Sequence, residues 1–153
     1  MKTGDTAPDF ELADDTGTLR SLSGLLENGP VVLFFYPLAS SGGCTQETCH
    51  FRDLAGEFAA VGAQRVGISA DSVEKQHTFS TANSFDYPLL SDPDGTVAKI
   101  FDAKRSWLPA LPVKRKTFVI GTDRTVLEVI KSEMKFDEHA DTALQVLRER
   151  SGV

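Results

Sequence analysis

The chain has 153 residues, 41% hydrophobic and 25% charged, which is enough apolar material for one domain with a real core. A formal net charge of −6 without a basic stripe excludes a nucleic-acid surface. No apolar run approaches the roughly 18 residues of a membrane span. The opening Met1-Lys2-Thr3-Gly4-Asp5-Thr6-Ala7-Pro8 lacks the apolar stretch of a signal peptide, so the expected location is cytoplasmic. Two cysteines in such a setting point to redox or catalytic use more than to a disulfide framework.

From the N-terminus, Asp9-Phe10-Glu11-Leu12 alternates polar and apolar, Asp14 to Gly17 turns, and Leu19 to Leu22 returns. This predicts a β-hairpin. A helical turn is expected over 23–26, ended by Glu27-Asn28-Gly29-Pro30. Val31 to Tyr36 is a continuous apolar run that reads as a buried central strand, stopped by Pro37. Apolar residues at Phe51, Leu54, Ala55, Phe58 and Val61 have helical spacing and predict one helix over 45–61, with Gly62 as its stop.

Arg65 to Ala70 is a second short strand. Asp71 or Ser72 then caps a helix that runs to about Asn83. Tyr87-Pro88-Leu89-Leu90 reads as an edge strand, because Pro88 bars it from a central place. A turn over 91–95 and a short helix over 97–101 follow. Lys104 to Val113 is a loop carrying apolar Trp107, Leu108 and Leu111. Thr117–Ile120 and Val126–Ile130 bracket Gly121-Thr122-Asp123-Arg124 as a hairpin, and Asp137 to Arg148 is a last amphipathic helix. The order predicts an α/β fold, a central mixed β-sheet flanked by helices with an N-terminal β-hairpin, matching a thioredoxin-like core. A single domain over 1–153 is expected.

Cys44 lies where the first central strand has ended and a helix is starting. Unpaired amide groups and the positive end of the helix dipole favour an anion there, which predicts a thiol that ionises readily. Gly42 and Gly43 allow a tight turn and close approach of a small substrate. Ser41 offers a hydroxyl, either as the helix N-cap or as a donor to a substrate oxygen. Cys49 is five residues further along the same helix. That spacing separates the two α-carbons by about 8–9 Å, beyond the roughly 7 Å a disulfide tolerates. A bridge therefore cannot form while the helix is intact, and a redox-active pair would require its first turns to unwind. The other reading of Cys49 is a small buried hydrophobe.

Glu47 is either a first-turn acid that favours the helix dipole or a site residue. Lys114, Arg115 and Lys116 read as a solvated strand end in a net acidic chain. His50, His77 and His139 are scattered and lack metal-ligand spacing.

The motif Pro37-x-x-x-Ser41-x-x-Cys44 resembles the peroxiredoxin active-site pattern Pro-x-x-x-Thr/Ser-x-x-Cys. The stretches 32–37 and 43–53 are similar to the bacterioferritin-comigratory protein, or peroxiredoxin Q, subfamily. So are 4–10, Pro88-Leu89-Leu90-Ser91-Asp92 and Arg115-Lys116-Thr117-Phe118-Val119-Ile120. The resemblance runs through nearly the whole chain in order. It implies a thiol-dependent peroxidase acting on hydrogen peroxide and organic hydroperoxides. In that pattern Cys44 is the peroxidatic cysteine and Cys49 the resolving one. Ser41 stands where Thr is usual, Arg115 sits beside the thiolate, Pro37 shields it, and Glu47 orients the Arg115 network. Gly42 departs from the family's usual Pro, which loosens the loop.

The implied cycle forms a sulfenic acid at Cys44, condenses it with Cys49 to a disulfide, and recycles it with thioredoxin or a similar dithiol. Ser41, the Cys44 backbone N–H and Arg115 are the expected hydrogen-bond donors to the developing charge. No cofactor or metal is implied, and a monomer or weak homodimer is expected. Two readings from other classes stay open: a thiol–disulfide exchange protein, and a redox-sensing or holdase protein whose surface changes as the helix unwinds.

Overall fold

A computed structural model describes residues 1–105 and 113–151, the side chain of the last excepted. The apolar loop residues Trp107, Leu108 and Leu111 lie outside the described residues. The N-terminal hairpin forms from β1 (Glu11–Ala13) and β2 (Leu19–Ser21), followed by the short helix α1 (Leu22–Leu26). The run that opens the sheet is β3 (Val31–Phe35), and every residue of it is buried. Such a run has no polar face because both of its sides are covered. Side chains of Val31, Leu33 and Phe35 enter one apolar cluster with α1 residues Leu22, Leu25 and Leu26. Val32, Phe34 and Tyr36 enter the other, which also holds Cys44, Phe51, Phe58 and Phe79.

Five strands make the central sheet in the order β5 (Leu89–Ser91), β4 (Gln64–Ser69), β3, β6 (Lys116–Ile120), β7 (Val126–Lys131). The pairs β3–β4 and β4–β5 are parallel, while β3–β6 and β6–β7 are antiparallel, so the sheet is mixed. Leu89–Ser91 is an edge strand, with Pro88 just outside it. The hairpin docks on that edge through a bridge between Asp14 and Leu90.

The predicted helix over 45–61 is two helices. The first, α2 (Gly42–Asp53), starts three residues earlier than expected; the second is α3 (Ala55–Ala60). Leu54 leaves helical geometry at φ −94°, ψ 19°. Gly56, a weak helix former, follows the break closely. The remaining helices are α4 (Val73–Asn83), capped by Ser72, α5 (Thr96–Ile100) and α6 (Glu138–Ser151). Helix α6 places Ala140, Ala143, Leu144 and Leu147 in the apolar cluster that also holds Cys44. Register then sets the site. Phe35 pairs with Lys116, so Arg115 lies one residue past that pair, at the end of the sheet where β3 gives way to Pro37.

Candidate active site

The loop from Pro37 to Ser41 turns the chain from strand to helix. Pro37 is buried at its start. Asp71, in the β4–α4 connection, accepts from the Ala39 backbone N–H at 2.8 Å and from Ser69 Oγ at 2.7 Å, which pins the loop to its neighbour strand. Ser40 turns through a positive φ of 65°. Ser41 is the N-cap of α2: its Oγ accepts from the Cys44 backbone N–H at 3.4 Å. Its own hydroxyl donates to the Leu38 carbonyl at 2.9 Å, so it must swing away from Leu38 to serve as a donor to substrate.

Cys44 thus occupies the first turn of α2 and is fully buried. Arg115 is 6% exposed and spends its donors inward. Its Nη2 donates to Cys44 Sγ at 3.4 Å and its Nη1 to Glu47 Oε1 at 2.7 Å. Its Nε donates to the Glu133 carbonyl at 3.2 Å, and its backbone N–H to Glu133 Oε1 at 2.8 Å. The Phe136 ring lies under the guanidinium, 4.7 Å from its carbon to the ring centre. Burial works against the Arg115 charge, but Glu47 and Cys44 outweigh it, and its pKa is raised above the usual value. Thiol, helix N-terminus and guanidinium are the parts of an activated nucleophile.

Gly43 is required by this packing. A Cβ there would stand 2.6 Å from Phe136 Cζ and 3.3 Å from Arg115 Nη2. Ala would press directly on the ring that supports the guanidinium.

Cys49 belongs to a different environment. It is half-buried, and its Sγ donates to Asn83 Oδ1 at 3.7 Å. Both cysteines are free, and the helix between them is continuous. Of the residues picked from sequence, Cys44, Arg115, Glu47 and Ser41 converge, Pro37 is buried at the loop's start, and Cys49 stands apart.

Glu133 and Phe136 beside Arg115, and His139 and Thr117 behind Glu47, went unread as site residues. His139 is not a scattered histidine but a fully buried one, with Nδ1 3.6 Å from Glu47 Oε2 and 2.7 Å from Thr117 Oγ1. Thr117 is buried in β6. The available signal was position: His139, Ala143 and Leu147 recur at four-residue steps on the apolar stripe of the last helix, where a polar residue calls for a partner. Arg115 also corrects the solvated reading of the 114–116 basic cluster, because only its flanking lysines reach solvent.

The AhpC/TSA family profile matches residues 3–129. The chain is a peroxiredoxin of the AhpC/TSA family. A Mycobacterium tuberculosis protein assigned by name to the peroxiredoxins is 65% identical over 154 residues, covering 99% of this chain and 100% of its own. Peroxiredoxin Q from the chloroplast of Sedum lineare is 35% identical over 145 residues, 95% of this chain and 77% of that one. Among solved structures, peroxidoxin BcpB of Mycobacterium tuberculosis superposes with a TM-score of 0.94 at 64% identity, covering 97% of each chain. These likenesses place the peroxiredoxin in the bacterioferritin-comigratory, or peroxiredoxin Q, group, and its activity is that of a thiol-dependent peroxidase. No helix among the described residues is long and apolar enough to cross a membrane.

Proposed function

We propose that Cys44 is the sulfur that attacks the peroxide and Cys49 the one that resolves it. The observation that carries this is the Arg115 Nη2 to Cys44 Sγ contact at 3.4 Å, on the first turn of a helix capped by Ser41. As a thiolate, Cys44 forms an S–O bond while the O–O bond breaks and charge grows on the departing oxygen. Arg115, the Cys44 backbone N–H and a rotated Ser41 hydroxyl stand around that developing charge. Glu47 and Phe136 hold the guanidinium in register with the sulfur, and buried Pro37 shields the thiol's side of the loop.

The resulting sulfenic acid condenses with Cys49 after the first turns of α2 unwind, and water leaves. A thioredoxin-type dithiol then reduces the disulfide. Hydrogen peroxide and small organic hydroperoxides are the substrates; a bacterioferritin comigratory protein of Xanthomonas campestris, 30% identical with a TM-score of 0.84, is described by its alkyl peroxide reduction activity. The unit is a monomer or weak homodimer in the cytoplasm. In support, the exposed large apolar side chains among the described residues, Leu19, Leu38, Ile100 and Met134, come from four separate segments of the chain.

The test is mass spectrometry of protein treated with one equivalent of peroxide. A Cys44–Cys49 disulfide is expected in the wild type and an unmodified Cys49 in Cys44→Ser, which should also consume peroxide only at the uncatalysed rate. Turnover by Cys44→Ser at the wild-type rate would overturn the assignment.

A further inference from the structure

The carboxyl of Glu47 is fully buried and is approached from several elements. From the start of β6, Arg115 Nη1 donates to its Oε1 at 2.7 Å. From α6, His139 Nδ1 lies 3.6 Å from its Oε2, and that oxygen has no hydrogen-bond partner among the described residues. His139 is oriented so that it cannot supply one. Its Nε2 stands 2.8 Å from the Ser132 carbonyl, which only accepts, so Nε2 carries the hydrogen. Burial lowers the pKa of His139 and holds the ring neutral, which leaves a bare lone pair on Nδ1. Thr117 Oγ1, 2.7 Å away, donates to that lone pair. A charged Glu47 oxygen would therefore aim at a lone pair, with no donor to offset its burial.

The charge balance points the same way. Arg115 serves two potential anions, Glu47 through Nη1 and Cys44 through Nη2. Glu133 adds a further carboxylate on the Arg115 backbone N–H. Tyr87, whose pKa burial raises well above the usual value, stays neutral and adds no charge. One guanidinium shared by a thiolate and a carboxylate in a buried site favours keeping one of the two protonated.

We propose that Glu47 is the proton store of this peroxidase: its Oε2 holds a proton while Cys44 is a thiolate and releases it once the sulfur is oxidised. The proposal rests on Cys44 being the reacting thiol. Cys44 loses its proton to solvent while Glu47 keeps the one it already holds, so that Arg115 faces one negative charge. In the attack the S–O bond forms, the O–O bond breaks, sulfur gives two electrons to the peroxide, and an alkoxide or hydroxide leaves. The neutral sulfenic acid no longer competes for Arg115. Glu47 then ionises, and its proton balances the one the leaving oxygen gains. Glu47 touches no substrate and acts through Arg115, so it is a positioning residue.

Burial, opposed by Arg115 and aided by Glu133, raises the Glu47 carboxyl to a pKa of about 8, which agrees with a proton held at neutral pH. The sign for stability follows. The folded state binds this proton up to about pH 8, while the exposed group loses it near 4.5. Stability from Glu47 is therefore complete below pH 4.5 and declines as the pH rises through 8.

Difference infrared spectra of reduced and peroxide-treated wild type at neutral pH test the proposal directly. A protonated-carboxyl band, shifted by isotope-labelled glutamate, should be present in the reduced protein and vanish on oxidation. In Glu47→Gln that band should be absent, and the acid limb of the Cys44 oxidation rate should stay in place, since a protonated Glu47 already leaves Arg115 to the thiolate. A carboxylate that stays ionised beside the thiolate gives the opposite: its removal frees Arg115 and moves the limb about one pH unit lower. That result, or a carboxyl ionised in both states while Cys44 sulfenic acid forms, sinks the proton store alone. Oxidation that bypasses Cys44 sinks the catalytic assignment instead.

Discussion

The two cysteines ride one helix, yet their surroundings differ in kind. Cys44 is fully buried, at the first turn, and tied to Arg115. Cys49 is half-buried and has one long contact, to Asn83. The later part of the helix is held: just before Cys49, Tyr87 Oη donates to the Thr48 carbonyl at 2.6 Å, and beyond it Phe51 stacks on Phe34 with centroids 4.0 Å apart. Ahead of both cysteines lie Gly42 and Gly43, with the least to lose from leaving the helix. The contrast separates two requirements. On the proposed cycle the attacking sulfur needs a preorganised charge environment. The resolving one must be free to meet it after the intervening turns open. A tightly fixed Cys49 would raise the cost of that opening.

The sharpest way to break the contrast is to remove the cation. Arg115→Met should slow Cys44 oxidation by peroxide about 10²–10³-fold, the usual loss for a charge-stabilising donor, while leaving Cys49 reactivity toward a thiol-alkylating reagent unchanged. Stopped-flow rates with competing alkylation measure both. Equal losses at both cysteines would erase the distinction.

Cys49→Ser acts on the other side. The first oxidation should keep its rate within about two-fold, because no contact at Cys44 is lost. Cycling with a dithiol should stall, and mass spectrometry should show sulfinic acid accumulating at Cys44. Full cycling would point to a one-cysteine route.

The smallest effect belongs to Asn83→Ala. It removes the partner of Cys49 Sγ and the bond from Asn83 Nδ2 to the Phe79 carbonyl at 2.9 Å. A stability loss of about 1 kcal/mol in urea unfolding is expected, with peroxide oxidation of Cys44 untouched. Any change in rate should appear in disulfide closure alone. A slower first oxidation would mean the two environments are coupled.

Much of this arrangement was legible in advance because local rules govern it. The buried run Val31–Phe35, the edge strand beside Pro88, the Ser72 cap and the hairpin around Gly121 follow from period, proline and capping chemistry. Ser41 as cap and Cys44 in the first turn follow in the same way. The break at Leu54 did not, since the apolar spacing runs unbroken across it. Nor did His139, whose meaning lies in residues far away in the chain: Glu47 and Thr117.

Sequence alone therefore determined the strand, turn, cap and thiol, because each depends on neighbours within a helical turn or a strand pair. Tertiary structure alone decided which groups Arg115, Glu47 and His139 meet. The β3–β6 register carries Arg115 to the helix start, and α6 packs His139 against Glu47. Charge and hydrogen-bond balance in a buried site depends on which groups meet through space, and that is set only when the sheet and its covering helices close together.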